Sequence, residues 1–153
     1  MRRAIILLVT WGGIGFSPVA PGTAGTVGAV PLFLLLSLLP LVVYLPLVAG
    51  IGLLACWAAG RAEEIFGQQD SQVIVIDEVV GFLVTMAAVI PSVPSIIAGF
   101  ILFRVFDIIK PPPIRLIERK VHGGWGVVID DVLAGLYAYI TLRILSSVLP
   151  FTV

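Results

Sequence analysis

The phrase IDEVVGFLV at residues 76–84 joins two adjacent acids to an apolar run, and a similar phrase, IDDVLAGLY, occupies residues 129–137. In each phrase the acidic pair comes directly before a run that predicts an apolar helix. The repeated order indicates equivalent positions for the two pairs, Asp77-Glu78 and Asp130-Asp131. We therefore expect two helices of one bundle to begin at a shared acidic site.

Further apolar runs surround these phrases. Residues 27–39 and 41–59 are separated by Pro40, and residues 79–90 and 95–103 are joined by PSVP, so each pair predicts a helical hairpin. Residues 132–149 form a closing helix, and the Gly/Pro-rich residues 11–26 predict a loop. The predicted fold is all-α, a compact membrane-embedded bundle of about five helices after that N-terminal loop, with residues 1–153 as a single domain.

Composition also favours a membrane. Hydrophobic residues make up 59% of the 153 and charged residues 12%, with a mean hydropathy of +1.16, whereas soluble domains carry about 25% charged residues. The alternative is a soluble, apolar helical core, because runs of 12 to 14 residues are too short for a hydrocarbon core of about 30 Å.

The charges and the single cysteine exclude two further features. Nine basic and nine acidic residues cancel, so nucleic acid is not an expected partner. The single Cys56 excludes an internal disulfide.

The charges are predicted to gather on one face. If each hairpin crosses and returns, residues 61–78 and 104–131 emerge beside the loop at 11–26, while the opposite turns carry no charge. Every charged residue except Arg143 then lies on that face, and its Lys/Arg content predicts that it is cytoplasmic. We therefore expect a multi-pass membrane protein with a cytoplasmic site.

The acidic pairs have two interpretations. One acid at a helix start stabilises the helix dipole by about 0.3–1 kcal/mol, but two adjacent acids at two helix starts exceed what capping requires. A divalent cation between them would relieve their repulsion. We therefore predict metal ligands at Asp77, Glu78, Asp130 and Asp131. All-oxygen ligands favour Mg²⁺ or Mn²⁺ over zinc.

The stretch FRVFDIIKPPPIR at 103–115 places Arg104, Asp107 and Lys110 at steps of three, near one face of a continuing helix. Such a row is either a weak salt-bridged rim or a grip on phosphate oxygens. Charges beside lipid are expensive and mark function, so phosphate binding is predicted for Arg104 and Lys110, and for Arg115 at the end of the stretch.

Two Gly-rich segments complete the candidate site. HGGWG at 122–126 contains the only histidine, and His122 is predicted to transfer protons. The predicted catalytic residues are His122, Asp77, Asp107 and Asp131. PGTAGT at 21–26 offers backbone N–H groups and the hydroxyls of Thr23 and Thr26 as a phosphate cradle. The segment lacks the lysine of a P-loop, so a nucleotide is not indicated.

Together, PGTAGT, VIVIDEVVG, FRVFDIIKPPPI and HGGWGVVIDDVLAG, in this order, resemble the bacterial phosphatidylglycerophosphatase A family over nearly the whole chain. The resemblance implies Mg²⁺-dependent hydrolysis of phosphatidylglycerophosphate to phosphatidylglycerol and inorganic phosphate at the bacterial inner membrane. Family motif positions fall on Thr23, Arg104, Asp107 and Lys110 and on the two acidic pairs. Attack by water and a covalent aspartyl-phosphate both agree with these residues. The rival functions are a phosphatase for another lipid phosphate and a small membrane transporter.

Overall fold

A computed structural model describes residues 1–69, 71–118 and 120–148. This part of the chain is all-helical and contains seven α-helices, with a 3-10 turn at Ile14–Phe16. The helices are α1 (Arg2–Val9), α2 (Pro21–Leu36), α3 (Leu41–Phe66), α4 (Ile76–Thr85), α5 (Val93–Ile109), α6 (Ile114–Glu118) and α7 (Gly124–Val148). The helices of both predicted hairpins are present. Helices α4 and α5 pack against each other, whereas α2 packs mainly against α4 and makes little contact with α3.

Three details differ from the sequence-based expectation. The described chain has seven helices rather than about five, because the short α1 and α6 were not predicted as helices. The N-terminal loop is shorter than predicted, since α2 already begins at Pro21, and a proline fits the first helical turn, where its missing N–H costs no bond. Finally, α7 begins at Gly124 and not after the acids. The predicted end of the closing helix, at residue 149, lies outside the described residues.

The early start of α7 changes the interpretation of its acids. Asp130 and Asp131 lie about two turns inside the helix, so they do not cap its N-terminus. Only Asp77 and Glu78 occupy a first turn, that of α4. Capping therefore cannot account for the second acidic pair.

The helices α4 and α7 pack closely through two glycines. A Cβ atom added at Gly135 would overlap the carbonyl oxygen of Gly81, and one added at Gly81 would lie 2.7 Å from the carbonyl oxygen of Asp131. The Thr85 hydroxyl, 2.9 Å from the carbonyl oxygen of Gly81, also lies 3.4 Å from that of Gly135. Each glycine follows an acid by four residues, so this crossing brings Asp77 and Asp131 together.

Gly135→Ala should destabilise the protein by about 1–3 kcal/mol, because the new methyl group meets backbone atoms that cannot move aside. The matched control is Gly50→Ala, since Gly50 is also helical but has open space at its Cβ position. Gly50→Ala should leave the melting temperature in detergent unchanged or raise it. Equal melting temperatures for the two variants would contradict this account of the crossing.

One described helix, α3, is long and apolar enough to cross a membrane. Its 26 residues correspond to about 39 Å. The helix α2 is also apolar but has 16 residues. Many large apolar side chains on the outer faces are exposed, among them Leu53, Ile101 and Ile144.

Candidate metal and phosphate site

The charged residues of three helices line one cavity of about 410 Å³. The first turn of α4 is fixed by the Val75 N–H, which donates to the Val9 carbonyl oxygen at 2.8 Å. The cavity is completed by the N-terminus of α2 and the loop before α4. Its charged lining residues are Asp77, Glu78, Arg104, Asp107, Lys110, Asp130 and Asp131. The structure thus brings together the acids and the basic row that the sequence singled out separately.

Three of the acids form a compact cluster. Asp77, Glu78 and Asp131 each offer a carboxylate oxygen, and these oxygens lie within 4.8 Å of one another. Each acid also has one buried oxygen without a hydrogen-bond partner, namely Asp77 Oδ1, Glu78 Oε2 and Asp131 Oδ2. A buried carboxylate oxygen without a partner is costly. The donor set therefore fits a hard divalent cation, which would satisfy all three acids.

Burial makes the ionised forms of these acids unfavourable in the absence of a cation. Asp77 is only 8% exposed and Asp131 4%, and both precede the apolar segments 79–90 and 132–149. Burial, and next the charge of Glu78, raise the pKa of Asp77 well above its usual value. Burial, and next the charge of Asp77, do the same to the pKa of Asp131. A bound cation would oppose both effects.

The basic side chains face the cluster from the C-terminal end of α5, which Lys110 directly follows. Arg104 Nη1 lies 2.7 Å from Asp107 Oδ2 and 3.8 Å from Glu78 Oε1, so two acids hold the guanidinium in place. Its Nε atom is buried without a hydrogen-bond partner. Lys110 pairs with Asp130 across the cavity. The arrangement presents cations beside the acidic cluster, as a phosphate group on a bound metal ion requires.

The comparison with known families supports the same chemistry. The model for "PgpA: Phosphatidylglycerophosphatase A" matches residues 7–146. This chain belongs to the phosphatidylglycerophosphatase A family. The predicted resemblance is thereby confirmed over most of the sequence.

Three relatives are similar over most of their length. A phosphatidylglycerophosphatase A of Escherichia coli (strain K12) is 38% identical over 132 residues, which cover 85% of this chain and 76% of the relative. One of Haemophilus influenzae is 43% identical over 145 residues, 93% of this chain and 88% of the relative. A Bacteroides thetaiotaomicron protein with the provisional name phosphatidylinositol-3-phosphatase is 41% identical over 148 residues, 91% of both chains. No solved structure matches this phosphatidylglycerophosphatase A family member.

The remaining predicted site residues of this family member differ in whether they line the charged cavity. Thr23 and Arg115 do not line it, and Arg115 is exposed on α6. Thr26 is buried, and its hydroxyl donates to the Gly22 carbonyl oxygen at 2.9 Å. His122 lines a smaller neighbouring cavity that shares Asp130 with the site. Asp130 itself pairs with Lys110, and its predicted role as a metal ligand stays a prediction.

Sequence reasoning missed a role for Gly22. A Cβ atom at this position would overlap Glu78 Oε1 and lie 3.2 Å from Arg104 Nη1, so any larger residue would displace the Glu78 carboxylate beside Arg104. The segment PGTAGT contains this glycine, but the sequence pattern predicts a backbone cradle for phosphate and not a close approach to an ion pair. Ser71 and Gln72 also line the cavity, and no sequence pattern distinguished them.

Proposed function

We propose that this protein is a membrane-embedded, Mg²⁺-dependent phosphatase that converts phosphatidylglycerophosphate to phosphatidylglycerol and inorganic phosphate. The observation that carries the proposal is the cluster of three acids beside Arg104, each with a buried oxygen that has no hydrogen-bond partner, in a chain of this family. The substrate follows from the names of the Escherichia coli and Haemophilus influenzae relatives.

Asp77, Glu78 and Asp131 would hold the cation. Mg²⁺ suits them because it prefers oxygen ligands and keeps part of its water shell, for which the cavity has room. When bound, the ion supplies positive charge to phosphoryl oxygens and makes water more acidic. The three acids would hold the ion beside the N-terminus of α4. The dipole of this helix favours the ionised carboxylates of Asp77 and Glu78 in its first turn.

The remaining groups bind and orient the phosphate. Arg104 and Lys110 donate charge-assisted hydrogen bonds to its oxygens, and these bonds strengthen as charge develops in the transition state. Asp107 fixes the guanidinium and lines the same cavity, so it is placed for proton transfer to or from water. His122 has the less direct position, because it does not line this cavity.

The membrane setting completes the proposal. Apolar side chains cover the outer faces of the helices, and Trp57 and Trp125 are exposed near the site, as is common at a membrane interface. The end that carries the site is also rich in Lys and Arg, which favours the cytoplasmic side of a bacterial inner membrane. Lipid tails would remain in the bilayer while the headgroup reaches the cavity.

A second candidate is a phosphatase for a different lipid monophosphate. It is supported by the Bacteroides thetaiotaomicron relative, whose name specifies phosphatidylinositol 3-phosphate and whose identity is similar to that of the other two. The two candidates share the site chemistry and differ in the headgroup that is accepted.

The deciding experiment measures phosphate release by the purified full chain in detergent, with Mg²⁺ or with EDTA. The substrates are phosphatidylglycerophosphate, phosphatidate and phosphatidylinositol 3-phosphate. We expect release only with Mg²⁺, with kcat/KM at least about tenfold higher for phosphatidylglycerophosphate. Full activity in EDTA would refute the metal requirement, and faster release from phosphatidylinositol 3-phosphate would favour the second candidate.

A further inference from the structure

Beside the charged cavity lies a series of depressions that share lining residues. The charged cavity and a smaller one of about 150 Å³ both include Asp130. The smaller cavity shares Glu63, Gln69 and His122 with an open depression at the end of α3. That depression shares Cys56 and Trp125 with an apolar groove of about 430 Å³ between α3, α4 and α7. Each depression thus adjoins the next, and the series leads from the charged site to the apolar groove.

The polarity of this surface changes in a definite order. It begins with carboxylates and cations and continues with hydrogen-bonding side chains. It then passes Trp57 and Trp125, beside the exposed Arg61–Glu64 ion pair, and ends among aliphatic side chains. A lipid with a terminal phosphomonoester has the same order of groups, namely phosphate, polar headgroup and acyl chain. The order is evidence for one amphipathic ligand rather than several separate ones.

We propose that this surface is the binding track for the substrate lipid. In the track, the smaller cavity takes the hydroxyl-bearing headgroup next to the reacting phosphate, and the groove takes one acyl chain. This inference rests on the proposed function and extends it, because it assigns headgroup and chain recognition to residues outside the charged cavity.

The smaller cavity has the chemistry that a polyol headgroup requires. The Glu63 carboxylate accepts hydrogen bonds from hydroxyls, the Gln69 amide both donates and accepts, and His122 can do either. Gly123 adopts a positive φ of 71° and lies against Glu63, since a Cβ atom there would be 3.9 Å from Glu63 Oε2. The turn therefore leaves its backbone open to the cavity.

The groove has the dimensions of one acyl chain. Along α3 it extends from Leu45 to Cys56, which is about 17 Å at 1.5 Å per residue. This length is close to one leaflet of a hydrocarbon core of about 30 Å. Val80 and Val84 of α4 form another wall. Because lipid tails are as apolar as the groove, its contribution is to orient the chain, and with it the headgroup, rather than to gain burial energy.

Gly52 provides the test of the groove. It lines the groove, and an added Cβ atom would make only ordinary contact, 3.6 Å from Val80 Cγ1, so Gly52→Leu fills the groove without a backbone clash. The matched control is Gly50→Leu on the same helix, where the Cβ position meets open space. We expect Gly52→Leu to lower kcat/KM about tenfold for long-chain phosphatidylglycerophosphate and to leave a short-chain, water-soluble analogue unaffected.

The headgroup part is tested with neighbouring glutamines. Gln69→Ala should raise KM about tenfold for both chain lengths, because it removes a headgroup hydrogen bond, while Gln68→Ala, whose residue lines none of these cavities, should match the parent protein.

The outcomes separate the two levels of the proposal. If the parent protein releases no phosphate from either substrate, the proposed function fails and the track fails with it. If the parent protein is active but Gly52→Leu behaves like Gly50→Leu, the groove assignment alone is wrong. Equal losses by Gly52→Leu on both chain lengths would also overturn it, because the substitution would then act on the site rather than on the chain.

Discussion

Asp131→Asn and Asp77→Asn should each lower kcat for phosphate release by about 10³-fold. Both side chains are nearly buried, and each contributes an oxygen to the three-acid cluster. Asn is similar in size but uncharged, so the cation loses a ligand and the charge that holds it, while the helix crossing is preserved. The control is Gln68→Ala, because Gln68 is exposed and lines neither the charged cavity nor the depressions beside it. It should retain full activity.

Thermal unfolding distinguishes loss of a metal ligand from loss of folding. In EDTA, Asp131→Asn should melt at or above the temperature of the parent protein, because the substitution removes like-charge repulsion from a buried cluster. Adding Mg²⁺ should raise the melting temperature of the parent protein by mass action. The variant should show little or no such rise. A variant that melts far below the parent in EDTA, or that keeps the Mg²⁺ response, would contradict the assignment.

Arg104→Gln should lower kcat by about 10²- to 10³-fold, since it removes a preorganised cation from the transferring phosphate. It also leaves Asp107 and Glu78 without their shared partner. Arg104→Lys should recover part of this loss, because it restores the charge but not the planar arrangement of donors. Phosphate release at saturating substrate measures both effects.

Arg143 offers the matched control for this substitution. It is an exposed arginine at the opposite end of α7, where Nη1 lies 3.4 Å from the Ala88 carbonyl oxygen and the guanidinium stacks 5.9 Å from the Tyr139 ring. Arg143→Lys should therefore leave kcat unchanged. If Arg104→Lys also kept full activity, the planar donors of Arg104 would not be required for phosphate binding, and this prediction would be wrong. The contacts with Ala88 and Tyr139 also give Arg143 a structural role. Arg143 is the charged residue that the sequence analysis placed away from the charged face.

The segments that form the main helices could be predicted from local sequence patterns. The apolar runs on either side of Pro40 became α2 and α3, and those on either side of residues 91–94 became α4 and α5. Proline alone does not mark these ends, because Pro31 and Pro46 lie inside α2 and α3. The start of α7 could not be predicted in this way. Gly123 to Gly126 indicate a turn by local propensity, yet α7 begins at Gly124, where a Cβ atom would overlap the Cys56 carbonyl oxygen of α3. Close helix packing outweighed the local preference.

The sequence by itself determined the helical fold class, the family and the residues available for chemistry, because apolar periodicity and the acidic and basic motifs are properties of neighbouring residues. Only the tertiary structure decided how those residues are grouped. The crossing at Gly81 and Gly135 brings Asp77, Glu78 and Asp131 together, while Asp130 pairs with Lys110 instead. Neighbours in sequence point in different directions on a helix, about 100° apart. On α7 this turns Asp130 to Lys110 and leaves only Asp131 in the cluster, whereas on α4 both Asp77 and Glu78 reach it.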